Sequence, residues 1–141
     1  MRFSITAAAV ALLSTAQAHI NGISVPSTIK PGDTFDVIIL SSNWIQSSYD
    51  VAIAIGYATG KGFPGSLGTV ANSFYLGPKE SNQLHNFNKT ITIPKSTPKG
   101  KGVVSATLFT LIGAAESGIL SDYNVTVTFG SKTSKTYKSS L

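Results

Sequence analysis

The two histidines of this chain are the residues best suited to metal chemistry. His19 directly follows Ala16-Gln17-Ala18, a small-x-small segment typical of signal-peptidase cleavage, and His85 is the second histidine. Cleavage after Ala18 would place a free α-amine beside the imidazole of His19, and this pair of nitrogens chelates Cu(II). With His85 as a third nitrogen ligand, the two residues predict a copper site. The alternative is a surface His85 and a His19 with no ligand role.

Two sequons predict N-linked glycans. Asn88-Lys89-Thr90 and Asn124-Val125-Thr126 both match the acceptor pattern. Each asparagine falls on the outward phase of a predicted strand, where a glycan has room. The alternative is that these side chains only fill the solvated face of a sheet.

A polar loop around the single tryptophan is the candidate contact surface for a partner. Asn43, Trp44, Gln46 and Tyr49 lie between two predicted strands. Aromatic side chains in such loops bury a large area on binding at a small cost in entropy. The alternative is that Trp44, together with Ile45, covers one end of the core.

Other catalytic patterns are missing from the sequence. The chain has no cysteine, which excludes thiol catalysis, and it has no G-x-S-x-G turn of an α/β-hydrolase. Its six acidic residues show no pattern typical of a glycosidase pair. We therefore expect a protein that is not an enzyme.

The charge of the chain does not favour nucleic acid as a partner. Eleven Lys and Arg against six Asp and Glu give a formal net charge of +5 at pH 7, but most of the lysines are scattered singly. Proteins that bind nucleic acid usually cluster Lys and Arg on one face. We expect the positive charge to serve solubility.

The elements that must position these residues are short strands. Alternating apolar and polar residues mark seven segments, which Pro, Gly, Ser and Asn separate: 20–25, 34–40, 50–57, 72–76, 85–93, 103–112 and 123–129. This pattern predicts an all-β fold, an immunoglobulin/fibronectin-like β-sandwich of about seven strands. Lys89 falls on the inward phase of its segment, so we expect a β-bulge or a strand start near it.

The domain organisation follows from composition. Residues 1–18 predict a secretory signal peptide, with Arg2 before an apolar run at 5–13. That run is shorter than the roughly 20 residues that cross a bilayer, so we expect no membrane insertion. Residues 19–130 then form one β-sandwich domain. Residues 131–141 have few apolar side chains and predict a disordered basic tail.

Several short motifs resemble those of the fungal necrosis-inducing secreted protein family, in the same order. The segments NWIQS (43–47) and DVAIA (50–54) are similar to one stretch of that family. PGSLGT (64–69), YLGP (75–78) and SN (81–82) are similar to its next two motifs, and ATLFTL (106–111) and YNVTVT (123–128) to its C-terminal strands. The likeness covers nearly all of residues 20–130.

This resemblance implies a secreted effector of a plant-associated fungus, acting in the host apoplast and in the host cell. Members of the family are described as suppressing pattern-triggered immunity by binding plant immune receptor kinases and their cytoplasmic partner kinases, and as provoking necrosis. Such binding is stoichiometric and needs no cofactor. Two other functions stay open: a copper-binding protein using His19 and His85, and a module that binds cell-wall polysaccharide through surface aromatics.

Overall fold

The described part of the chain is built almost entirely from β-strands. The computed structural model describes residues 17–141, so the predicted signal peptide, Gln17 and Ala18 excepted, lies outside the described residues. The elements are, in order, β1 (Ala18–Pro26), β2 (Thr28–Ile29), β3 (Thr34–Asn43), β4 (Ser48–Thr59), β5 (Thr69–Tyr75), α1 (Gly77–Glu80), β6 (Phe87–Thr92), β7 (Gly100–Ile112), β8 (Ser117–Phe129) and β9 (Tyr137–Ser139). Each of the seven predicted segments overlaps a strand, which confirms the all-β prediction. Among these residues no helix is long and apolar enough to cross a membrane.

The strands form two sheets that share one apolar core. The first sheet has the order β6-β3-β1-β9 and the second the order β2-β8-β7-β4-β5. All pairings are antiparallel except the short parallel contact of β2 with β8. Ile23 and Val37 of the first sheet and Ile53, Leu108 and Val125 of the second belong to the same buried cluster. The arrangement is of the β-sandwich kind, and burial of each such side chain contributes about 1.5–3 kcal/mol.

A β-bulge in β4 changes which side chains face the core. The register of β4 with β7 shifts between Asp50 and Ala52. Ser48 and Asp50 are buried before the bulge, and Ile53 and Ile55 are buried after it. Strict alternation back from Ile53 would place Asp50 on the outer face, but the extra residue reverses the side.

Of the two alternatives expected near Lys89, the structure shows the strand start: β6 begins at Phe87, two residues before Lys89, and no β-bulge forms. β6 pairs with β3 in regular register, with Lys89 opposite Val37. The Lys89 ammonium lies 2.6 Å from Glu80 Oε1 and 5.2 Å from the centroid of the Phe74 ring. Because β6 is an edge strand, the long side chain can leave the rim of the core and keep its charge paired without a bulge.

The C-terminal segment is ordered, which corrects the prediction of a disordered tail at residues 131–141. β9 pairs with the second half of β1. Thr133 Oγ1 donates to Asp33 Oδ2 at 2.8 Å, and the Tyr137 hydroxyl donates to Asp36 O at 2.9 Å. These bonds use main-chain, hydroxyl and carboxylate groups, so a segment with few apolar side chains can still join a sheet.

Candidate functional site

A buried polar cluster around Asp50 connects the two sheets. Asp50 is 1% exposed. Its Oδ1 accepts a hydrogen bond from Thr110 Oγ1 at 2.8 Å and lies 2.9 Å from His19 Nδ1. Its Oδ2 accepts the main-chain N–H of Ile20 at 3.1 Å. Asp50 and Thr110 belong to the five-stranded sheet, whereas His19 and Ile20 belong to the four-stranded sheet. One carboxylate therefore joins the two sheets.

Three further hydrogen bonds hold the first half of β1. Ser48 Oγ donates to Ala18 O at 2.9 Å, and the Tyr123 hydroxyl donates to Ile20 O at 3.0 Å. Asn82 Oδ1 accepts the main-chain N–H of Ala18 at 3.3 Å. β9 pairs only with the second half of β1, so side chains bind these groups where β9 does not reach.

The protonation of Tyr123 and the hydrogen bonding of the buried side chains both indicate a structural role for this cluster. Burial is the main cause that raises the pKa of Tyr123; a hydrogen bond with Ser121 opposes it, and the charge of Asp50 adds to it. The phenol therefore keeps donating to Ile20 O up to alkaline pH. Within residues 17–141, every buried side-chain nitrogen or oxygen has a hydrogen-bond partner. Complete pairing of this kind rigidifies a protein interior.

The predicted contact residues lie in or beside the exposed loop between β3 and β4, residues 44–47, here called the Trp44 loop: Asn43 ends β3, and Tyr49 is half-buried on β4. Trp44 is 37% exposed and Ile45 98%, so Ile45 does not cover the core as the alternative required. The Trp44 and His19 ring centroids lie 5.1 Å apart, with the ring planes tilted by 46°. Asn43 and Gln46 are also exposed. The loop therefore rests on the polar cluster and presents apolar surface to solvent.

Four residues in one register form an apolar row across the outer face of the five-stranded sheet. Tyr75 of β5 lies opposite Ala52 of β4, which lies opposite Phe109 of β7. Phe109 in turn lies opposite Leu120 of β8. Tyr75 is 69% exposed and Leu120 71%. Strands are about 4.8 Å apart, so this apolar row spans about 14 Å of surface.

Tyr49 connects the apolar row with the Trp44 loop. Its hydroxyl lies 3.3 Å from the hydroxyl of Tyr75, and this hydrogen bond raises the pKa of Tyr49. Beside Tyr75, the small side chains of Ala52 and Ala54 leave a shallow groove that Leu67 borders on another side. A partner bound to the apolar row would therefore also meet Tyr49.

The structure places the two histidines in different settings. His19 is buried with Nδ1 directed at Asp50, whereas His85 is exposed between α1 and β6. Nδ1 is the ring nitrogen that closes a chelate with the α-amine of the same residue, so copper there would have to displace Asp50. In the described range no group of three or more His, Cys, Asp or Glu side chains could hold a metal ion. Copper binding by His19 and His85 stays a prediction.

Both sequon asparagines are exposed on strands. Asn88 of β6 donates from Nδ2 to Asp36 Oδ2 at 3.4 Å. Asn124 of β8 accepts a hydrogen bond from Ser105 Oγ at 2.7 Å. Neither bond buries the carboxamide, so the predicted glycans have space at both positions.

Sequence reasoning did not single out Asp50, Phe109 or Leu120. Alternation along β4 predicts Asp50 on the outer face, because the sequence does not reveal the bulge that turns it inward. Phe109 lies in a segment that is apolar on both phases. Leu120 precedes the predicted strand 123–129, although β8 begins at Ser117. The apolar pair Ile119-Leu120 was the one available signal that this strand starts earlier.

These features define a class of protein: an all-β protein of two sheets, joined by a buried polar cluster and carrying an exposed apolar surface. Comparison with known proteins then shows the family. The sequence profile of the Nis1 family matches residues 16–128. Necrosis-inducing secreted protein 1 of Colletotrichum orbiculare is 48% identical over 132 residues, covering 93% of this chain and 82% of the relative. The protein of the same name from Colletotrichum higginsianum is 49% identical over 132 residues, covering 93% and 92%.

The chain belongs to the Nis1 family, which confirms the resemblance seen in its motifs. It is a secreted protein, as predicted, since both relatives are named as secreted. Their names also support a necrosis-inducing effector, and they describe a biological effect instead of an enzymatic reaction.

The solved structures that align with this chain are distant. A superoxide reductase (neelaredoxin) from Ignicoccus hospitalis aligns with a TM-score of 0.47 and 13% identity over 86% of each chain. A second structure of that reductase gives a TM-score of 0.42 and 15% identity over 84% of this chain and 86% of its own. Similarity at this level carries no functional argument.

Proposed function

We propose that this protein is a secreted fungal effector that suppresses plant pattern-triggered immunity by binding host immune receptor kinases and their associated cytoplasmic kinases. It acts in the host apoplast and in the host cell, and it induces necrosis. The observation that carries the proposal is 48% and 49% identity, over most of the chain, to two proteins named for secretion and necrosis induction.

The exposed apolar surface supports a function in protein binding. Tyr, Trp and Phe are enriched at protein interfaces, and here Trp44, Tyr75 and Phe109 all contact solvent. Exposed side chains of this size have no role in the buried core, and contiguous apolar patches on soluble proteins mark interaction sites. The effector would cover a kinase surface stoichiometrically and thereby block kinase activity or the docking of a partner.

The test is binding of the secreted protein, purified from culture medium, to recombinant plant immune-kinase domains by biolayer interferometry. We expect Kd values at or below about 1 μM, about −8 kcal/mol, together with inhibition of autophosphorylation that saturates near equimolar effector. A plant metabolic kinase serves as the control and should neither bind nor be inhibited. Absence of binding to every immune kinase in the panel would overturn the proposed mechanism.

The secreted form is further proposed to carry N-linked glycans at Asn88 and Asn124. The support is the exposure of both carboxamides on strands of a secreted protein. Glycosidase treatment should reduce the mass of the wild-type protein, and Asn88→Gln and Asn124→Gln should each remove one glycan. A secreted wild-type protein with the unmodified mass would contradict this.

A further inference from the structure

We infer that signal peptidase cleaves this chain between Ala16 and Gln17, so that the secreted protein begins at Gln17 and not at His19. The inference starts from the place of Gln17 and Ala18 in the fold. β1 begins at Ala18, whose exposed fraction is 0%. A residue this deeply buried belongs to the folded domain.

The main chain of these two residues is held by three partners distant in sequence. The Trp44 N–H donates to Gln17 O at 2.9 Å. Ser48 Oγ donates to Ala18 O at 2.9 Å, and the Ala18 N–H donates to Asn82 Oδ1 at 3.3 Å. All three bonds would be lost if the mature chain began at His19.

Cleavage after Ala18 would also create two unfavourable groups in the interior. Ser48 is 4% exposed, so its hydroxyl would lose its acceptor in a buried position. The new α-ammonium would lie on His19, which is 8% exposed. Taking a charged amine out of water costs far more than taking the neutral peptide N–H out of water.

The bond after Ala16 avoids both problems and has an equally suitable sequence. Ser14-Thr15-Ala16 is a small-x-small segment, as Ala16-Gln17-Ala18 is. Hydrolysis there adds one water across the peptide bond and leaves a carboxylate on Ala16 and an amine on Gln17. Gln17 is half-buried and precedes β1, so the charged amine has access to water.

This processing decides the chemistry available to His19. In a chain that begins at Gln17, the main-chain nitrogen of His19 belongs to a peptide bond. The Nδ1 atom of the His19 ring keeps its hydrogen bond with Asp50 Oδ1 at 2.9 Å. The amine–imidazole chelate that an N-terminal histidine offers to Cu(II) is then absent.

The direct test is to express the full chain in a secreting fungal host and to sequence the N-terminal peptide of the secreted protein by mass spectrometry, after removing glycans. We expect a peptide that begins at Gln17, with its amine free or cyclised onto the side-chain carboxamide with loss of ammonia. A main product that begins at His19, or at any other residue, would overturn the inference.

A second test measures how much Gln17 and Ala18 stabilise the folded domain. Chains that begin at Gln17 and at His19, both released from a cleavable tag, are compared by thermal unfolding. Loss of three hydrogen bonds should lower the melting temperature of the His19 chain by about 5 °C or more. Equal melting temperatures would remove the structural support for the Gln17 start.

Ser48→Ala in both chains keeps the second test decisive even if the shorter chain folds poorly. In the Gln17 chain this substitution removes the donor to Ala18 O and should lower the melting temperature by about 3 °C or more. In a folded His19 chain the acceptor is already gone, so the effect should be smaller. Ser47→Ala, at an exposed neighbour, is the control and should change neither chain. No effect of Ser48→Ala in the Gln17 chain would contradict the inference.

Discussion

Asp50 and Ala52 are two residues apart on β4, yet they belong to opposite kinds of environment. Asp50 is a charged residue held inside, between the sheets, by Thr110, His19 and the N–H of Ile20. Ala52 is part of an apolar row held outside, between Tyr75 and Phe109. The β-bulge between them makes both placements possible within one strand.

The polar cluster stabilises the fold, whereas the fold does not require the apolar row. The polar cluster is buried, and each of its groups has a partner, so it stabilises the contact between the sheets. The apolar row contributes little to the core, because Tyr75 and Leu120 are mostly exposed. A feature that the fold does not require is the better candidate for binding a partner.

The strongest test of this division is Asp50→Ala. It leaves His19 Nδ1, the Ile20 N–H and the Thr110 hydroxyl without their acceptor in a buried place. We expect a loss of about 3–5 kcal/mol in the free energy of unfolding, measured by urea denaturation. The fraction that stays folded should bind kinase with unchanged affinity.

Asp36→Ala is the matched control for that variant. Asp36 also accepts side-chain hydrogen bonds, from Thr90 and Asn88, but it is exposed. The loss should be below about 1 kcal/mol, since water replaces those bonds. Similar losses for Asp36→Ala and Asp50→Ala would show that the buried cluster has no special structural role.

Trp44 both contacts the polar cluster and exposes apolar surface, so its substitution should affect stability and binding together. Its ring lies 5.1 Å from that of His19, yet 37% of the residue is exposed. Trp44→Ala should lower the free energy of unfolding by about 1–2 kcal/mol and the affinity for kinase by about 2 kcal/mol, roughly 30-fold. Ile45→Ser, at a residue 98% exposed, should weaken binding without changing stability. An unchanged affinity in both variants would exclude this loop from the interface.

Tyr123→Phe should lower the stability less than Asp50→Ala does, and its effect should depend on pH in a distinct way. The variant loses the bond to Ile20 O, which should cost about 1 kcal/mol near neutral pH. Burial raises the pKa of Tyr123 above the model-peptide value of 10.0, so its contribution is fully present below pH 10.0 and is lost as pH rises through the raised pKa. The difference between wild type and variant, from urea denaturation over a pH series, should therefore shrink above pH 10.0. A constant difference would contradict the burial of this phenol.

The sequence predicted the strands better than it predicted the site. Phe35, Val37 and Ile39 share one phase of 34–40, and apolar and polar residues alternate strictly along 123–129. These patterns predicted β3 and the second half of β8, because no bulge interrupts those segments. The position of Trp44 in a loop was also predicted, since polar residues surround it. These are local properties, which spacing along the chain can reveal.

The parts that could not be predicted depend on contacts between distant residues. Asp50 acquires its partners from positions 31 residues before it and 60 residues after it, and no local pattern reports them. Phe109 has apolar neighbours on both phases, so its face is set only by pairing with β4 and β8. β9 joins the sheet through main-chain bonds to β1, which leave no mark on the apolar pattern.

The most direct test of the binding surface compares one substitution on each sheet. Leu120 belongs to the apolar row and is 71% exposed, whereas Leu141 is 78% exposed and lies beside Gly22 of the other sheet. Leu120→Lys and Leu141→Lys make the same chemical change at similar exposure, and neither should destabilise the fold by more than about 0.5 kcal/mol. By biolayer interferometry against the immune kinases, we expect Leu120→Lys to weaken binding about tenfold or more and Leu141→Lys to leave it unchanged. Equal affinities for the two variants would contradict a role of the apolar row in kinase binding.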